Sequence, residues 1–138
     1  MMVFADTSAL YALLVRDDVM HLRARDNFRY FAREKVRLLT SSFVLVETIA
    51  LLQRRVGLDA VLDFQTKIMP LLEVLWVDAD WHQRAMQRLL AGNQKNVSLV
   101  DCMSFEIMEV REIHEAFTFD RHFKENGFTI ADHTTGAP

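Results

Sequence analysis

The apolar residues of this chain alternate between short runs and longer periodic segments, and this alternation limits the possible folds more than any other feature. Short apolar runs are typical of buried strands, and apolar residues spaced three and four apart are typical of helices. The runs predict strands at Val3–Ala5, Val36–Leu39, Val74–Val77, Ala116–Phe119 and Phe128–Ile130. The periodic segments predict helices at Ser8–Val15, Met20–Arg33, Phe43–Arg55, Leu58–Leu71, Ala79–Leu90 and Leu99–Ile113. Strands that alternate with helices predict an α/β fold, in which a mainly parallel sheet is covered by helices on both faces.

The chain reads as a single domain over residues 1–138. Its 138 residues are enough for one core, and 4 Gly and 2 Pro leave no linker and no low-complexity tract. Gly57, Gly92 and Gly127 fall where predicted helices end. The sequence has a single cysteine, Cys102, which excludes an internal disulfide and a thiolate zinc site. No apolar run approaches the roughly 20 residues of a membrane span, and no secretory signal is present, so we expect a cytoplasmic protein.

Two acids follow predicted strands. Asp6 comes directly after the first strand and Asp120 directly after the fourth. In a parallel sheet both acids emerge at the edge where the strands end, and ligands of α/β proteins bind there. The alternative is that each acid only caps a helix, because Asp is a preferred helix N-cap and each acid precedes a predicted helix. For Asp120 this helix is the short segment Arg121–Glu125.

Two further acids lie in apolar helices. Glu47 sits in SSFVLVETIALLQ, and a helix that is apolar on almost every side is predicted to be buried. A buried Glu47 must meet a cation or hold its proton, so a buried ion pair is the alternative to a metal. Asp101 lies in NVSLVDCMSF, three residues after Ser98, which is also a capping-box pattern. The apolar neighbours of Asp101 nevertheless indicate burial.

These four acids can converge on one crevice. Converging carboxylates repel each other, so they require divalent cations or raised pKa values. An oxygen-rich set of ligands suits Mg²⁺ or Mn²⁺ rather than zinc. The formal net charge of -3 does not exclude a nucleic-acid partner, because the rest of the chain is slightly basic once the four acids are set aside. The five histidines show no ligand spacing, and most are predicted to lie on the surface.

The four acidic segments together carry a family resemblance. DTSAL at Asp6, LVETIALL at Glu47, SLVDCMSF at Asp101 and AFTFDRHF at Asp120 resemble, in order, the motifs of PIN-domain ribonucleases. The length of the chain and the residues of these motifs are most similar to VapC-like toxins of toxin–antitoxin pairs. Some relatives carry a further acid two positions after the last one, where this chain has His122.

The resemblance implies a three-layer α/β/α sandwich and an endoribonuclease that depends on Mg²⁺ or Mn²⁺. It also implies a homodimer and a partner antitoxin. Asp6 and Asp101 would bind the ion directly, and Glu47 would be a ligand or a partner of bound water. Asp120 would complete the shell. Two other functions stay open: a degenerate PIN domain that only binds RNA or protein, and a phosphatase with Asp6 as nucleophile, although Ser8 replaces the second acid that such phosphatases use.

Substrate and partner contacts are predicted from two surfaces. Ser8 follows Asp6 by two residues, and its hydroxyl could hydrogen-bond a ligand or a phosphate at the N-terminus of the first helix. The alternative is an ordinary hydroxyl at a helix N-terminus with no role in binding. A basic stripe on the second helix, Arg25, Arg29 and Arg33, is either an RNA track or an ordinary solvated helix face. A partly exposed apolar patch for a second copy or an antitoxin is predicted from Phe28, Tyr30, Phe31, Leu58, Val61 and Phe64, with completion of the monomer core as the alternative.

Overall fold

A five-stranded sheet with all strands parallel forms the centre of the molecule, as the sequence predicts. The computed structural model describes residues 1–92, 94 and 96–134. The strands are β1 (Met2–Ala5), β2 (Arg37–Ser41), β3 (Glu73–Leu75), β4 (Glu115–Phe117) and β5 (Thr129–Ile130), in the order β3-β2-β1-β4-β5. The helices are α1 (Thr7–Leu14), α2 (His21–Arg33), α3 (Ser42–Arg55), α4 (Leu58–Asp63), α5 (Ala79–Ala91), α6 (Leu99–Val110) and α7 (His122–Glu125).

The strand order explains the three layers. Connections between parallel strands are right-handed. The connections that run outward from β1 through β2 to β3 therefore lie on one face, and those that return to β4 and β5 lie on the other. The core forms between these layers, with Phe4 and Phe117 on the strands, Leu10 on α1 and Phe105 on α6, each 0% or 1% exposed. The predicted α/β/α sandwich is confirmed.

The predicted helix over Leu58–Leu71 is wrong beyond Asp63. Helix α4 ends there, a wider turn of π-helical type follows at Phe64–Ile68, and a short 3-10 turn covers Met69–Leu71. Pro70 accounts for the loss of regular α-helix, because proline has no N–H to donate to the carbonyl four residues earlier and its ring clashes with that carbonyl. Gly57 begins this segment with φ of 133°, a left-handed conformation that glycine adopts without strain.

Helix α3 is less buried than its composition predicts. Val46 is 68% exposed and Ala50 is also exposed, whereas Val44, Leu45 and Leu52 face the core. One side of α3 therefore meets solvent near the end of the sheet, and Glu47 lies half-buried at the border between the two sides. Apolar composition alone does not distinguish a buried helix from one with an exposed apolar side.

The predicted apolar patch is corrected in part. Phe31 and Phe64 are 1% and 0% exposed and belong to the core, as the alternative interpretation had it. Leu58 is 69% exposed, and other exposed apolar side chains lie near it in sequence: Val56, Leu62 and Leu71. Within the described ranges, none of the helices has both the length and the apolar character needed to span a membrane.

Candidate active site

The order of strands places two acids beside one crevice. The chain leaves β1 toward β2 on one side, and β4 lies on the other side of β1. Such a reversal of strand order opens a crevice at the strands' carboxyl ends. Asp6 lies there, and its N–H donates to the carbonyl of Phe117 at 3.0 Å, which extends the β1–β4 pairing to the acid itself. Asp120 is not directly after β4 as predicted, because the strand ends at Phe117.

Asp6 is both a helix cap and a buried acid. Its Oδ2 accepts hydrogen bonds from the hydroxyls of Ser8 and Thr118, both at 2.9 Å, and from the Ser8 N–H at 3.4 Å. The predicted capping alternative is therefore confirmed. Burial raises the pKa of Asp6 from 3.8 to about 6, although the hydrogen bonds from the two hydroxyls lower it in part. The charges of Asp101 and Glu47 raise the pKa of Asp6 further.

The two hydroxyls also connect Asp6 to the segment that carries Asp120. Ser8 Oγ accepts the N–H of Phe119 at 2.9 Å, and Thr118 Oγ1 accepts the N–H of Asp120 at 3.0 Å. Each hydroxyl thus donates to the carboxylate after β1 and accepts from the backbone after β4. Thr118 is not among the site residues predicted from the sequence, and its position two residues before Asp120 is the signal that marks it.

Asp101 is held by the first turn of α6. Its Oδ2 accepts the N–H of Ser98 at 3.1 Å, and its own N–H donates to Ser98 Oγ at 3.1 Å, so the predicted capping box is present. Asp101 is 9% exposed, and burial raises its pKa, against the hydrogen bonds from Ser98. The capping alternative and the burial predicted for Asp101 are therefore both correct.

Glu47 has no cation as a partner in the described part of the chain. No ion pair involves it, so the predicted alternative of a buried ion pair does not form there. Partial burial raises the pKa of Glu47, and the charges of Asp101 and Asp120 raise it further. Glu47 is thus a half-buried acid that faces other acids.

The structure brings Asp101, Asp120 and His122 together. A carboxylate oxygen of each acid and one ring nitrogen of His122 lie within 4.8 Å of one another, whereas Asp6 and Glu47 lie outside this group. The spacing of the histidines in the sequence does not reveal this contact, although His122 stands where some relatives carry a further acid. Its Nδ1 is 2.9 Å from Asp120 Oδ1 but is not aligned for a hydrogen bond, and it has no other hydrogen-bond partner among the residues described.

Three of the acids use only one carboxylate oxygen in hydrogen bonds with the described residues. Asp6 and Asp101 each use Oδ2 for the bonds above, and Asp120 uses Oδ1 to accept the N–H of His122 at 2.9 Å. No residue in the described ranges donates a hydrogen bond to the second oxygen of these three acids. Three carboxylates with a spare oxygen, a fourth acid nearby and one imidazole fit a divalent cation such as Mg²⁺ or Mn²⁺.

The basic residues predicted to contact substrate differ in their surroundings. Arg25 lies 3.4 Å from Asp26, and Arg33 lies 3.6 Å from Glu34, with its guanidinium also over the ring of Tyr30. Arg29 is exposed. Ser8 is engaged with Asp6 and Phe119, which makes it a residue that positions the acid. An RNA track along the stripe stays a prediction.

Comparison with known proteins identifies the family. Residues 3–129 match the PIN domain. The chain belongs to the PIN-domain family. It is 34% identical over 128 residues to the 23S rRNA-specific endonuclease VapC20 of Mycobacterium tuberculosis, in strains CDC 1551 and H37Rv, covering 92% of this chain and 95% of the relative.

Three solved structures superpose on this chain over nearly its full length. The crystal structure of Mycobacterium tuberculosis VapC20, described as a sarcin–ricin loop cleaving toxin, has a TM-score of 0.82 at 33% identity and covers 94% of this chain and 98% of its own. VapBC2 from Rickettsia felis, bound to a promoter DNA fragment, has a TM-score of 0.70 at 13% identity and covers 95% and 98%. FitAcB from Neisseria gonorrhoeae has a TM-score of 0.66 at 15% identity and covers 96% and 97%. The last two agree in fold.

Family membership defines the class of enzyme. PIN domains are metal-dependent nucleases, and this chain is a metal-dependent ribonuclease of that family. The resemblance of the four acidic segments to PIN-domain ribonucleases is thereby confirmed.

Proposed function

We propose that the chain is the toxin of a VapBC-type pair and cleaves a loop of 23S rRNA as an endoribonuclease. The observation that carries this proposal is the 34% identity to VapC20 over 92% of the chain, in a chain with acids at all four motif positions. VapC20 is named for 23S rRNA and for the sarcin–ricin loop, so the same RNA is the first substrate to test. A ribosomal target also supports the cytoplasm as its location.

We assign Asp6, Glu47, Asp101 and Asp120 to the catalytic centre, where they would hold Mg²⁺ or Mn²⁺. Bound there, the ion would make an attacking water more acidic and neutralise charge on the phosphate. The spare oxygens of Asp6, Asp101 and Asp120 support their assignment as ligands. His122 joins the assignment because a ring nitrogen lies with the oxygens of Asp101 and Asp120 within 4.8 Å.

Neighbouring groups orient the acids by hydrogen bonds, and burial raises the pKa values of three of them. The hydroxyls of Ser8 and Thr118 hold Asp6 Oδ2, which directs the other oxygen of Asp6 away from them. The N–H of Ser98 does the same for Asp101. Burial raises the pKa values of Asp6, Glu47 and Asp101, so each acid holds its proton to a higher pH when no cation is bound. Glu47, which is half-buried and lacks a cationic partner, is the acid suited to accept a proton from the attacking water.

Cleavage of purified rRNA tests this proposal. Wild-type protein with Mg²⁺ or Mn²⁺ should cut a sarcin–ricin stem-loop, and Asp101→Asn should abolish the cut without unfolding the protein. Asp17→Asn, a matched change at an exposed acid away from the site, should leave cleavage intact. Binding of RNA without any cleavage at either metal would support the degenerate PIN domain instead. Phosphate trapped covalently on Asp6 would support the phosphatase.

The exposed apolar residues support a protein partner. Val56, Leu58, Leu62 and Leu71 are 54%, 69%, 61% and 59% exposed, and Leu58 and Leu62 lie one turn apart on the same side of α4. Contiguous exposed apolar surface usually marks an interaction site. We propose that these side chains contribute to a homodimer or to the contact with an antitoxin. Light scattering at micromolar concentration separates these cases: a dimer that Leu58→Ser and Leu62→Ser convert to a monomer identifies the surface, and a strictly monomeric wild type contradicts the dimer.

A further inference from the structure

A cleft lies beside the acids, after the end of β4 and along β5. Its volume is about 400 Å³, and its walls include Phe119, Phe128, Asn27, Arg23, Lys124 and Asp132. Phe119 directly precedes Asp120, and its N–H is held by Ser8 Oγ, which also holds Asp6. Consecutive Cα atoms are about 3.8 Å apart, so the wall of the cleft and an acid of the site are adjacent.

The cleft carries a charge opposite to that of the acids. Arg23 and Lys124 are exposed, and neither forms an ion pair with a residue that the structure describes. Asp132 is the one acid among the lining residues, so the cleft has a net charge of about +1 beside a cluster of carboxylates. A polyanion that enters the acidic site has a place here for its flanking phosphate.

The inner wall combines an amide with aromatic rings. Asn27 is 1% exposed; its Oδ1 accepts the N–H of His133 at 2.7 Å, and its Nδ2 donates to the carbonyl of Arg23 at 2.9 Å. An amide nitrogen has two N–H groups, and no residue in the described ranges accepts the second one. Phe119 is half-buried and offers part of its ring. Amides that bind base edges and aromatic rings that stack on bases are typical of single-stranded RNA recognition.

We propose that this cleft binds one unpaired nucleotide of the RNA substrate, next to the phosphodiester that is cleaved. The proposal rests on the ribonuclease function above and adds a subsite to it. Arg23 and Lys124 contact the flanking phosphate, and Phe119 and Asn27 contact the base. Arg23 and Asn27 are one helical turn apart on α2 and share a side, whereas Arg25, Arg29 and Arg33 form a stripe on a different side of the helix. The cleft therefore does not require the basic stripe.

RNA binding by a cleavage-deficient protein tests the cleft. All variants carry Asp101→Asn, and the probe is a fluorescein-labelled sarcin–ricin stem-loop followed by anisotropy in Mg²⁺. Arg23→Gln with Lys124→Gln should weaken binding about tenfold and lower the slope of log affinity against log salt by about one to two. The control is Arg111→Gln with Lys67→Gln, which removes the same charges at exposed positions before β4 and β3, at the opposite edge of the sheet. The control should bind RNA as the parent does.

A second comparison tests the base. Phe119→Leu keeps apolar volume but removes the stacking ring, so it should weaken binding of the intact loop. It should not change the affinity for a stem-loop in which the nucleotide on one side of the cleavage site is abasic. Thermal unfolding establishes that each variant is folded.

Three results would overturn the subsite. One is equal RNA affinity of the cleft and control variants. Another is a loss of affinity for Phe119→Leu that is the same with and without the base. The third is a cleft variant that binds RNA normally but no longer binds a protein partner. In each case metal-dependent cleavage by the otherwise unchanged chain would leave the ribonuclease function standing. Absence of cleavage by wild type would instead contradict the proposed function without affecting the binding result.

Discussion

Asp6→Asn should stabilise the protein above pH 6, although it removes a carboxylate of the proposed active site. Burial raises the pKa of Asp6 from 3.8 to about 6, so the folded protein resists ionising this carboxyl. Each pH unit between the folded and unfolded pKa corresponds to about 1.4 kcal/mol. The ionised Asp6 therefore lowers the free energy of unfolding by about 3 kcal/mol in the absence of a cation. Asn carries no charge, and its Oδ1 can accept the same hydroxyls of Ser8 and Thr118.

The sign of the effect depends on pH. Below the unfolded pKa of 3.8, Asp6 is protonated in both states and has little effect on stability. Between 3.8 and about 6 the folded state binds more protons than the unfolded state, so the stability contributed by this group falls as pH rises. The advantage of Asp6→Asn should grow from about 0.5 kcal/mol at pH 4 to about 3 kcal/mol at pH 7, or about 10 °C in Tm for a chain of 138 residues.

Urea unfolding in EDTA at several values between pH 4 and pH 8 measures this difference. Asp17→Asn is the matched control, since it removes the same charge at an exposed position. The control should track wild type at every pH. An advantage of Asp6→Asn that does not increase with pH, or a variant less stable than wild type at pH 7, would refute the reasoning from burial.

Three further predictions concern the metal and the groups that hold its ligands. Mn²⁺ or Mg²⁺ at a hundred times its Kd should stabilise wild type by about 2.7 kcal/mol in thermal unfolding. That gain should be absent from the quadruple amide variant of Asp6, Glu47, Asp101 and Asp120, and its persistence would place the ion elsewhere. Calorimetry should find that His122→Asp lowers the preference for Mn²⁺ over Mg²⁺, because imidazole favours transition metals; an unchanged ratio of Kd values would exclude His122 as a ligand. Ser98→Ala and Asp78→Ala each remove a helix N-cap, so each should lower the free energy of unfolding by about 1 kcal/mol, but only Ser98→Ala should also weaken metal binding.

The general fold was predictable because its signals are local. Strand and helix periods, with glycines such as Gly57 after the helices, are written within short windows of sequence. The errors arose where a single residue or a surrounding layer changes the outcome. Pro70 breaks the segment after α4, and solvent on one side of α3 leaves Val46 exposed. Neither error altered the strand order that forms the crevice.

The sequence by itself determined the types of residue in the site and the edge of the sheet at which Asp6 and Asp120 emerge, because a parallel sheet sends every strand end to the same edge. Only the tertiary structure decided which oxygen of each acid is already bonded, and that His122 lies within 4.8 Å of two acids. It also decided that Thr118 holds Asp6 across 112 residues of chain. These contacts join segments far apart in sequence, and burial, which raises the pKa of Asp6, is a property of everything packed around a residue.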